Sequence, residues 1–443
     1  MNKKKYNFIS RDFFKCGLLL PFFFLTFFFI WNPYALADNW LHFGYDSQYT
    51  SYNPVENKIN INNISELQRN WGIGCDDGWF SVISRAPAIY RGKMYTSGAG
   101  DKLTAYSAHN GKLLWKFGKG NNAWAPQPVV SEDGIVFYME GSIPTNLYAV
   151  SADNGTKLWE APFGFDMGFN DTALVTVDEL KNLIYVVEPS MGDGKLYALN
   201  KQTGAIVWSK SKATDKAEFK GDYVLLDEGK IFIPASIETK ENGWRPLRDH
   251  MLKIDTISKN IETTFNRPKP EGYHDIKHYA LCNDMLIVGF DYSYNPAKLL
   301  VAYNPKSPTI IWEKEFSEFT GEIACNKSSN RIYVSTDPYL YALDASTGAE
   351  VWKYQGYGAI YNPSIANGIV YFISDTNMYA INETTGAKLF SYPLGYKGYN
   401  TTQVAINNGM VFFSGNGGTC DLFALGLPFG KNCPGVLLLL TDE

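Results

Sequence analysis

The sequence predicts an all-β fold, an eight-bladed β-propeller of four-stranded antiparallel blades. An eleven-residue phrase recurs along the chain, with alanine at its first position, glycine at its seventh and tryptophan at its eleventh. Between the copies, Asp-Gly and Asn-Gly pairs supply the positive φ of hairpin turns and precede runs of β-branched and aromatic residues. Aromatic residues make up 15% of the 443 residues, which also favours strands.

The repeated phrase marks the third and fourth strands of each blade. A small residue on one strand, opposite a large one on the next, lets neighbouring sheets stack closely. Because a four-stranded sheet cannot bury both faces alone, we expect the sheets to stack radially. The alanine positions are Ala105, Ala149, Ala198, Lys253 in a degenerate copy, Ala302, Ala342, Ala380 and Ala424. The copy at Ala302 has Pro308 in place of glycine, and the copy at Ala380 has Phe390 in place of tryptophan.

Eight such positions predict eight blades, with the last blade closed by the N-terminal strand. Trp71 occupies a tryptophan position with no alanine strand before it, and no tryptophan follows Ala424. The strand around Leu67 to Gly72 is therefore expected to pair with the strand around Ala424, which leaves no free edge in the ring. Seven blades is the alternative, because the copy at Lys253 is weak.

The first 37 residues are predicted to be a signal peptide rather than part of the fold. Lysines and Arg11 precede an apolar stretch at 17–31, which is shorter than the roughly 20 residues that a membrane helix needs. Small residues at Ala35 and Ala37 predict cleavage before Asp38. An uncleaved N-terminal anchor is the alternative. We expect a propeller at 38–426, with 38–75 as the closing segment, and a C-terminal tail at 427–443.

Composition narrows the functional classes. With 40 Lys+Arg against 45 Asp+Glu, the formal net charge is −5, so no surplus of cations is available for nucleic acid. A chain that is 45% hydrophobic and 19% charged can bury a large core, which excludes a disordered chain. The sequence therefore indicates a periplasmic or secreted acidic protein with no membrane span after signal cleavage.

The phrase Ala-x-[Asp/Asn/Ser]-x-x-x-Gly-x-x-x-Trp resembles the repeat of the pyrroloquinoline-quinone (PQQ) propeller superfamily. The segment from Trp40 to Gly44, followed by Asn53-Pro54 and Ile64 to Trp71, is similar to the way such chains begin. The resemblance covers nearly all of 39–426 and implies the propeller fold. The superfamily includes quinoprotein alcohol and sugar dehydrogenases. It also includes propellers without a quinone, among them scaffolds of outer-membrane protein assembly.

The resemblance implies two functional hypotheses. The sequence has neither the vicinal Cys-Cys pair that many quinoprotein dehydrogenases carry nor the Cys-x-x-Cys-His motif of haem attachment. The first hypothesis is therefore a non-catalytic propeller that binds a protein, a peptide or a polar small-molecule ligand, with no cofactor predicted. The alternative is a PQQ-dependent alcohol or sugar dehydrogenase of the periplasm, and only this alternative requires PQQ with calcium. No catalytic residue or calcium ligand is assigned.

Export permits disulfides among the cysteines that remain, which are Cys75, Cys282, Cys325, Cys420 and Cys433. If alanine at position i faces tryptophan at i+10, position i−4 faces i+14. This register brings Cys75 opposite Cys420 in the closing blade, so we predict a Cys75–Cys420 disulfide. A Cys420–Cys433 bond is the alternative. Cys282 and Cys325 occupy similar places in neighbouring blades and either form a disulfide or stay buried thiols.

The predicted ligand site is the mouth of the ring, where the innermost strands of all blades begin. Positions seven residues before a turn glycine, or equivalent ones in the less regular blades, are all polar: Arg85, Gln127, Asp171, Asp222, His278, Glu322, Tyr361 and Thr402. The functional interpretation is a binding mouth of mixed charge. The alternative is that any water-filled channel needs polar walls.

No metal site is predicted. His274 and His278 would lie on one side of an extended strand, but about 13 Å apart, which is too far for one ion.

Overall fold

A computed structural model of the protein describes residues 39–73, 87–97, 102–120, 126–140, 145–164, 175–188, 194–237, 248–266, 274–292, 298–394, 403–416 and 420–428. These residues form the predicted propeller of eight four-stranded antiparallel blades. The alternative of seven blades is therefore wrong. The degenerate copy is a genuine blade, because Lys253 pairs with Thr263 at the place where other blades pair alanine with tryptophan.

The strands follow the chain order within each blade. Before blade 1 come β1 (Asn39–Trp40), β2 (Tyr52–Asn53), a 3-10 turn (Ile64–Glu66) and β3 (Gln68–Ile73). Blade 1 is β4 (Ala88–Tyr90), β5 (Lys93–Thr96), β6 (Leu103–Ser107) and β7 (Leu113–Phe117). Blade 2 is β8 (Val129–Val130), β9 (Ile135–Glu140), β10 (Thr145–Ser151) and β11 (Lys157–Phe163). Blade 3 is β12 (Val175–Asp178), β13 (Leu183–Val187), β14 (Leu196–Asn200) and β15 (Ile206–Lys210).

Blades 4 and 5 are the irregular part of the ring. After α1 (Lys212–Asp215), blade 4 comprises β16 (Ala217–Phe219), β17 (Leu225–Asp227), β18 (Lys230–Ile237), β19 (Arg248–Asp255) and β20 (Ile261–Phe265). Blade 5 is β21 (His274–Cys282), β22 (Met285–Tyr292), β23 (Lys298–Tyr303) and β24 (Ile310–Phe316). Both β16 and β17 pair with β18, and a parallel contact between β19 and β21 joins the two blades into one nine-stranded sheet.

The last three blades are regular, and the ring closes in blade 8. Blade 6 is β25 (Ala324–Asn326), β26 (Arg331–Ser335), β27 (Tyr339–Asp344) and β28 (Glu350–Gln355). Blade 7 is β29 (Ile360–Ala366), β30 (Ile369–Ser374), β31 (Asn377–Asn382) and β32 (Lys388–Pro393). Blade 8 is β33 (Ala405–Asn407), β34 (Met410–Asn416) and β35 (Cys420–Gly426). Its fourth strand is β3, which pairs with β35 and sets Trp71 opposite Ala424, as predicted.

The apolar core lies between the blades. Each cluster of buried residues joins the facing sheets of neighbouring blades; one, for example, packs Phe137 and Ala149 of blade 2 against Ile184 and Val186 of blade 3. A blade therefore buries its two faces against two neighbours, which is what the repeat predicts.

Five of the repeat tryptophans pack against the glycine turn of the next blade. A Cβ atom added at Gly348 would lie 2.7 Å from the ring of Trp312 in the preceding blade. The same holds for Gly111, Gly155, Gly204 and Gly386 against Trp71, Trp115, Trp159 and Trp352. The indole N–H of Trp312 also donates to the carbonyl of Ala345 at 2.7 Å. The glycine is needed both for its positive φ and for the space that the indole occupies.

This contact accounts for the irregular copy in blade 5. It does not account for the one in blade 4, where Lys259 takes the glycine position although Trp208 of blade 3 precedes it. Blade 4 has Thr263 in the tryptophan position, and blade 5, which follows it, has Pro308 in the glycine position. Without the indole, the next turn has no need of glycine. Phe390 takes the tryptophan position of blade 7, the blade before blade 8. The third and fourth strands of blade 8 come from opposite ends of the described chain, so no turn joins them and an indole would have no glycine turn to pack against.

Replacing Gly348 with alanine tests this contact. Gly368 is the matched control, since its φ of 76° is close to the 69° of Gly348 and a Cβ there meets nothing within 4 Å. Both variants carry the strain of positive φ, about 1–2 kcal/mol. Gly348→Ala must also displace Trp312, so we expect a further loss of about 1–3 kcal/mol in the free energy of unfolding. Equal losses in urea unfolding would contradict the proposed indole contact.

Candidate functional site

Residues 39–53, which we call the axial segment, are surrounded by the first strands of the blades. Backbone carbonyls of Ser47, Gln48, Thr50 and Ser51 accept hydrogen bonds from Leu226, Leu281, Cys325 and Ile365, in blades 4 to 7. The carbonyl of Leu41 accepts from Val130 in blade 2, while β1 pairs with β4 and β2 with β29. A segment that contacts so many first strands lies on the axis of the ring.

The axial segment occupies one end of the axis, and the mouth lies at the other. Its hydrogen bonds go to residues near the ends of the first strands, such as Leu281 in β21 and Cys325 in β25. The predicted mouth residues His278 and Glu322 precede these by three residues, about 10 Å at extended rise. One end of the axis is therefore floored by the chain itself, and we call this floor and the first strands around it the cup.

The structure describes some of the predicted mouth residues and brings several of them together. Gln127, Asp222, Glu322 and Tyr361 lie at or just before the starts of first strands, whereas His278 lies in the middle of β21. The predicted residues Arg85, Asp171 and Thr402 lie outside the described residues. Among those described, Asp222, His278 and Glu322 of blades 4, 5 and 6 surround one aromatic cluster.

Three tyrosines form this cluster. The ring of Tyr49 from the axial segment stacks on Tyr223 with centroids 3.6 Å apart, and Tyr223 stacks on Tyr279 at 4.3 Å. The hydroxyl of Tyr223 donates to the carbonyl of Tyr279, and the hydroxyl of Tyr279 donates to the carbonyl of Tyr223. This reciprocal pair fixes blade 4 to blade 5 beneath the mouth.

Glu322 connects the tyrosines to the wall of the mouth. Its Oε2 lies 3.0 Å from the hydroxyl of Tyr223 and 3.5 Å from Nδ1 of His278. Its backbone N–H donates to Oδ1 of Asn362 in blade 7, at 2.8 Å. Burial first, and then the charge of Glu322, raise the pKa of Tyr223 well above its usual value. Burial and the charge of Asp222 do the same for the pKa of Tyr279, so both hydroxyls remain hydrogen-bond donors.

Gln127 is unusual among the mouth residues. Its side chain is buried, with 8% exposure, yet within the described part of the chain neither its amide nitrogen nor its amide oxygen has a hydrogen-bond partner. Gln403 of blade 8 shows how such an amide is satisfied in this ring. Its oxygen accepts from the backbone N–H of Gly44, and its nitrogen donates to the hydroxyl of Ser51, both in the axial segment.

A β-bulge corrects the expectation for His274 and His278. The register of β21 shifts between Ile276 and His278, which breaks the regular alternation that would have put the two histidines on one side of the strand. Within the described residues, no group of three or more histidine, cysteine or carboxylate side chains is placed to hold a metal ion.

Cys282 and Cys325 form a disulfide, so the disulfide alternative for this pair is confirmed. It links the first strands of blades 5 and 6 close to the axial segment, because Cys325 donates its backbone N–H to Thr50. Closing a loop of 43 residues stabilises the fold by about 4 kcal/mol in the chain-entropy account.

The predicted bond between Cys75 and Cys420 involves Cys75, which lies outside the described residues. The register behind that prediction is confirmed elsewhere: Lys298 pairs with Phe316, four positions before Ala302 and four after Trp312. The Cys75–Cys420 bond stays a prediction.

The sequence did not indicate the axial segment or the tyrosine cluster. Tyr49, Tyr223 and Tyr279 fall outside the repeated phrase, and a tyrosine in a propeller strand is ordinarily a packing residue. The signal that could have found two of them is their position, directly after the mouth residues Asp222 and His278.

Comparison with known families decides which propeller this is. The model of the PQQ-repeat family described as "Outer membrane protein assembly factor BamB" matches residues 68–222 and 297–420, more than half of the chain. The chain belongs to this PQQ-repeat propeller family. Residues 223–296 of this chain lie between the two matched ranges. They hold the degenerate copy and the strands β19 and β21, through which blades 4 and 5 are joined.

Curated relatives are distant and longer than the matched region. A quinoprotein alcohol dehydrogenase, PedH, of Pseudomonas putida is 25% identical over 190 residues, which cover 40% of this chain and 30% of the relative. A tetrathionate hydrolase of Acidithiobacillus ferrooxidans is 23% identical over 286 residues, which cover 61% of this chain and 53% of the relative. The chain thus matches about half or less of the length of these relatives.

Solved structures support the fold. The quinohemoprotein alcohol dehydrogenase of Comamonas testosteroni matches with a TM-score of 0.68 and 11% identity, over 88% of this chain and 80% of the other. BamB of Moraxella catarrhalis matches with a TM-score of 0.59 and 14% identity, over 81% of this chain and 99% of the other. At such identities the likeness shows the fold alone.

A calcium–quinone group, which the dehydrogenase relatives suggest, does not fit the described part of the mouth. Calcium takes six to eight oxygen ligands. Glu322 is already engaged by Tyr223 and His278, and the faces of Tyr49, Tyr223 and Tyr279 lie against one another. The described mouth residues therefore present no set of calcium ligands.

The floor of the cup makes the stability of the protein depend on pH. His42 of the axial segment is buried, its ring lies 5.5 Å from that of Tyr49, and its Nδ1 hydrogen-bonds to the carbonyl of Phe43. Burial lowers the pKa of His42 from 6.5 to about 4. The unfolded chain therefore binds more protons than the folded one between these values, and stability falls as the pH falls through this range.

We expect acidification from pH 7 to pH 5 to cost about 2 kcal/mol of stability through His42. His42→Gln removes this contribution, so urea unfolding of the variant should show a correspondingly smaller loss over the same range. His109→Gln, at an exposed turn residue, is the control and should keep the loss of the parent protein. An unchanged pH dependence in His42→Gln would contradict the burial of a neutral imidazole.

Proposed function

We propose that the protein is a non-catalytic propeller, periplasmic or secreted after signal cleavage, that binds a protein or peptide at its mouth. Gln127 is the observation that carries the proposal. A buried amide with neither donor nor acceptor partnered costs free energy unless a ligand satisfies it. A peptide bond offers one donor and one acceptor, the complement of a glutamine amide. Gln403 makes the equivalent pair of hydrogen bonds with the axial segment.

The rest of the mouth supports a polar, extended ligand. Glu322 and Asp222 add negative charge beside the tyrosine cluster, and His278 adds an imidazole that lies within 3.5 Å of Glu322. The tyrosine hydroxyls are fixed by their reciprocal hydrogen bonds, so the floor of the cup is rigid. A rigid, partly polar cup lowers the entropic cost of ordering a bound loop. A polar small molecule with an amide group would use the same contacts.

Among the described residues, no helix is long and apolar enough to cross a membrane. The location outside the cytoplasm is part of the proposal and rests on the predicted signal peptide.

Peptide display tests the mouth directly. Random twelve-residue peptides would be selected on the mature protein and their affinities measured for the parent, for Gln127→Met and for Gln355→Met, which changes an exposed glutamine of blade 6. We expect Gln127→Met to weaken the selected peptides at least tenfold, and Gln355→Met to bind as the parent does. Removing an unpartnered buried amide should leave the melting temperature of Gln127→Met equal or higher. Failure to select any peptide, or equal binding by Gln127→Met, would overturn the proposal.

The alternative function is a PQQ-dependent alcohol or sugar dehydrogenase, which the names of the dehydrogenase relatives favour. Titration of the mature protein with PQQ and calcium, followed by tryptophan fluorescence, tests it together with a dye-linked alcohol oxidation assay. We expect no saturable quenching at micromolar quinone and no turnover. Tight binding with turnover would establish the dehydrogenase and contradict the non-catalytic proposal.

A further inference from the structure

A second cavity lies at the end of the ring opposite the mouth. It has a volume of about 230 Å³ and is bounded by the axial segment and by the turns that follow the first strands of blades 4, 5 and 6. Its charged and amide lining consists of Asp46, Gln48, Asp227, Glu228, Asn283, Asp284, Asn304, Lys306 and Lys327. This volume is below the 300–1,000 Å³ typical of pockets for drug-sized ligands, so it fits one small group.

The cavity has more hydrogen-bond acceptors than donors. Oδ1 of Asn283 is buried without a hydrogen-bond partner, although Nδ2 of the same side chain donates to Asn330. Asp227 accepts one long hydrogen bond, 3.3 Å, from the amide of Gln48. Lys327 is already paired with Asp284 at 2.7 Å. A ligand that satisfies this wall must therefore bring N–H donors.

The electrostatics of the cavity favour a cation. Burial raises the pKa of Asp46, whose carboxylate accepts hydrogen bonds from the side chain and backbone of Thr50. Burial and the charges of Glu228 and Asp284 raise the pKa of Asp227, and the charge of Lys306 opposes them. The surroundings of both carboxyl groups disfavour the ionised form, and a bound cation would stabilise that form.

The remaining wall is apolar. Pro54, Leu281 and Pro305 line the cavity beside the carboxylates, and Tyr52 adds an aromatic ring. A methylene chain packs on such a surface while a terminal charge reaches the acids. A hydrated metal ion would gain nothing from these side chains, whereas an organic cation uses both halves of the cavity.

We propose that this cavity binds an alkylammonium group, carried by a small amine or by a lysine side chain of a peptide. The N–H donors of the ammonium group satisfy Asp227, and the methylene stem packs on Leu281 and the prolines. The site is separate from the mouth and does not depend on the function proposed there.

The test uses the mature protein and calorimetric titration at pH 7. The probes are n-butylammonium, N-acetyl-lysine methylamide and the neutral n-pentanol. We expect at least one of the two cations to bind saturably at millimolar concentration and at least fivefold more tightly than pentanol. Binding by both cations means that the ammonium group and its stem suffice, and binding by the lysine derivative alone identifies a peptide as the source. Pentanol binding as tight as that of the cations, or no saturable cation binding up to 20 mM, would overturn the proposal.

Variants locate the site. Asp227→Asn keeps the acceptor for Gln48 but removes the charge, and should weaken the cation at least fivefold. Glu228→Gln, at an exposed turn position, should weaken it in the same direction and serves if Asp227→Asn does not fold. Asp153→Asn, which removes an exposed carboxylate in blade 2, and Gln127→Met at the mouth should each stay within twofold of the parent. Loss of binding in either of these controls, or none in Asp227→Asn and Glu228→Gln, would contradict the assignment.

A pH series adds a readout that a purely apolar site would not show. Because the cation favours the ionised carboxyls, its affinity should decrease as the pH is lowered through the titration range of Asp46 and Asp227. Affinity that does not decrease on acidification would count against the proposal.

Discussion

Every blade of this protein needs two neighbours, and that constraint determines the rest of the structure. A four-stranded sheet with two apolar faces is stable only when both are covered, so the blades stack until they return to the first. Pairing of β3 with β35 closes the ring in blade 8 and leaves no unpaired strand edge where the two ends meet. It also brings the N-terminal part of the described chain to the ring, where residues 39–53 run along the axis. The cup that follows is thus a consequence of how the ring closes.

Most of the fold could be predicted from the repeat in the sequence. Alanine opposite tryptophan is a pairing of adjacent antiparallel strands, and the turn glycine accommodates the indole of the preceding blade. These are local requirements with fixed spacing, so strand order, blade number and the closing register could all be predicted. One exception obeys the same contact, since Pro308 follows a blade that lacks the tryptophan, whereas Lys259 follows Trp208 and does not. Glu322 lies two residues before β25, whereas His278 lies in the middle of β21.

The site could be predicted only in outline because its contacts are not periodic. Tyr49 reaches Tyr223 across more than 170 positions of sequence, and Gln403 is satisfied by Gly44 from the other end of the described chain. No spacing rule links such residues, since they meet only where the axial segment crosses the ring. Whether Cys282 and Cys325 form a disulfide could not be decided from the sequence for a related reason. The sequence places both cysteines at similar positions in neighbouring blades, but only the structure gives the distance between them.

The central claim is that residues 39–53 of the protein fill one end of the axis of the ring. Amide hydrogen exchange tests it most directly at Leu226, Leu281, Cys325 and Ile365, whose N–H groups donate to the axial segment. We predict that these amides exchange only when the whole ring opens, at the rate of the slowest strand amides in the molecule. Exchange as fast as that of amides in exposed hairpin turns would mean that the axial segment is not docked, and would contradict the account.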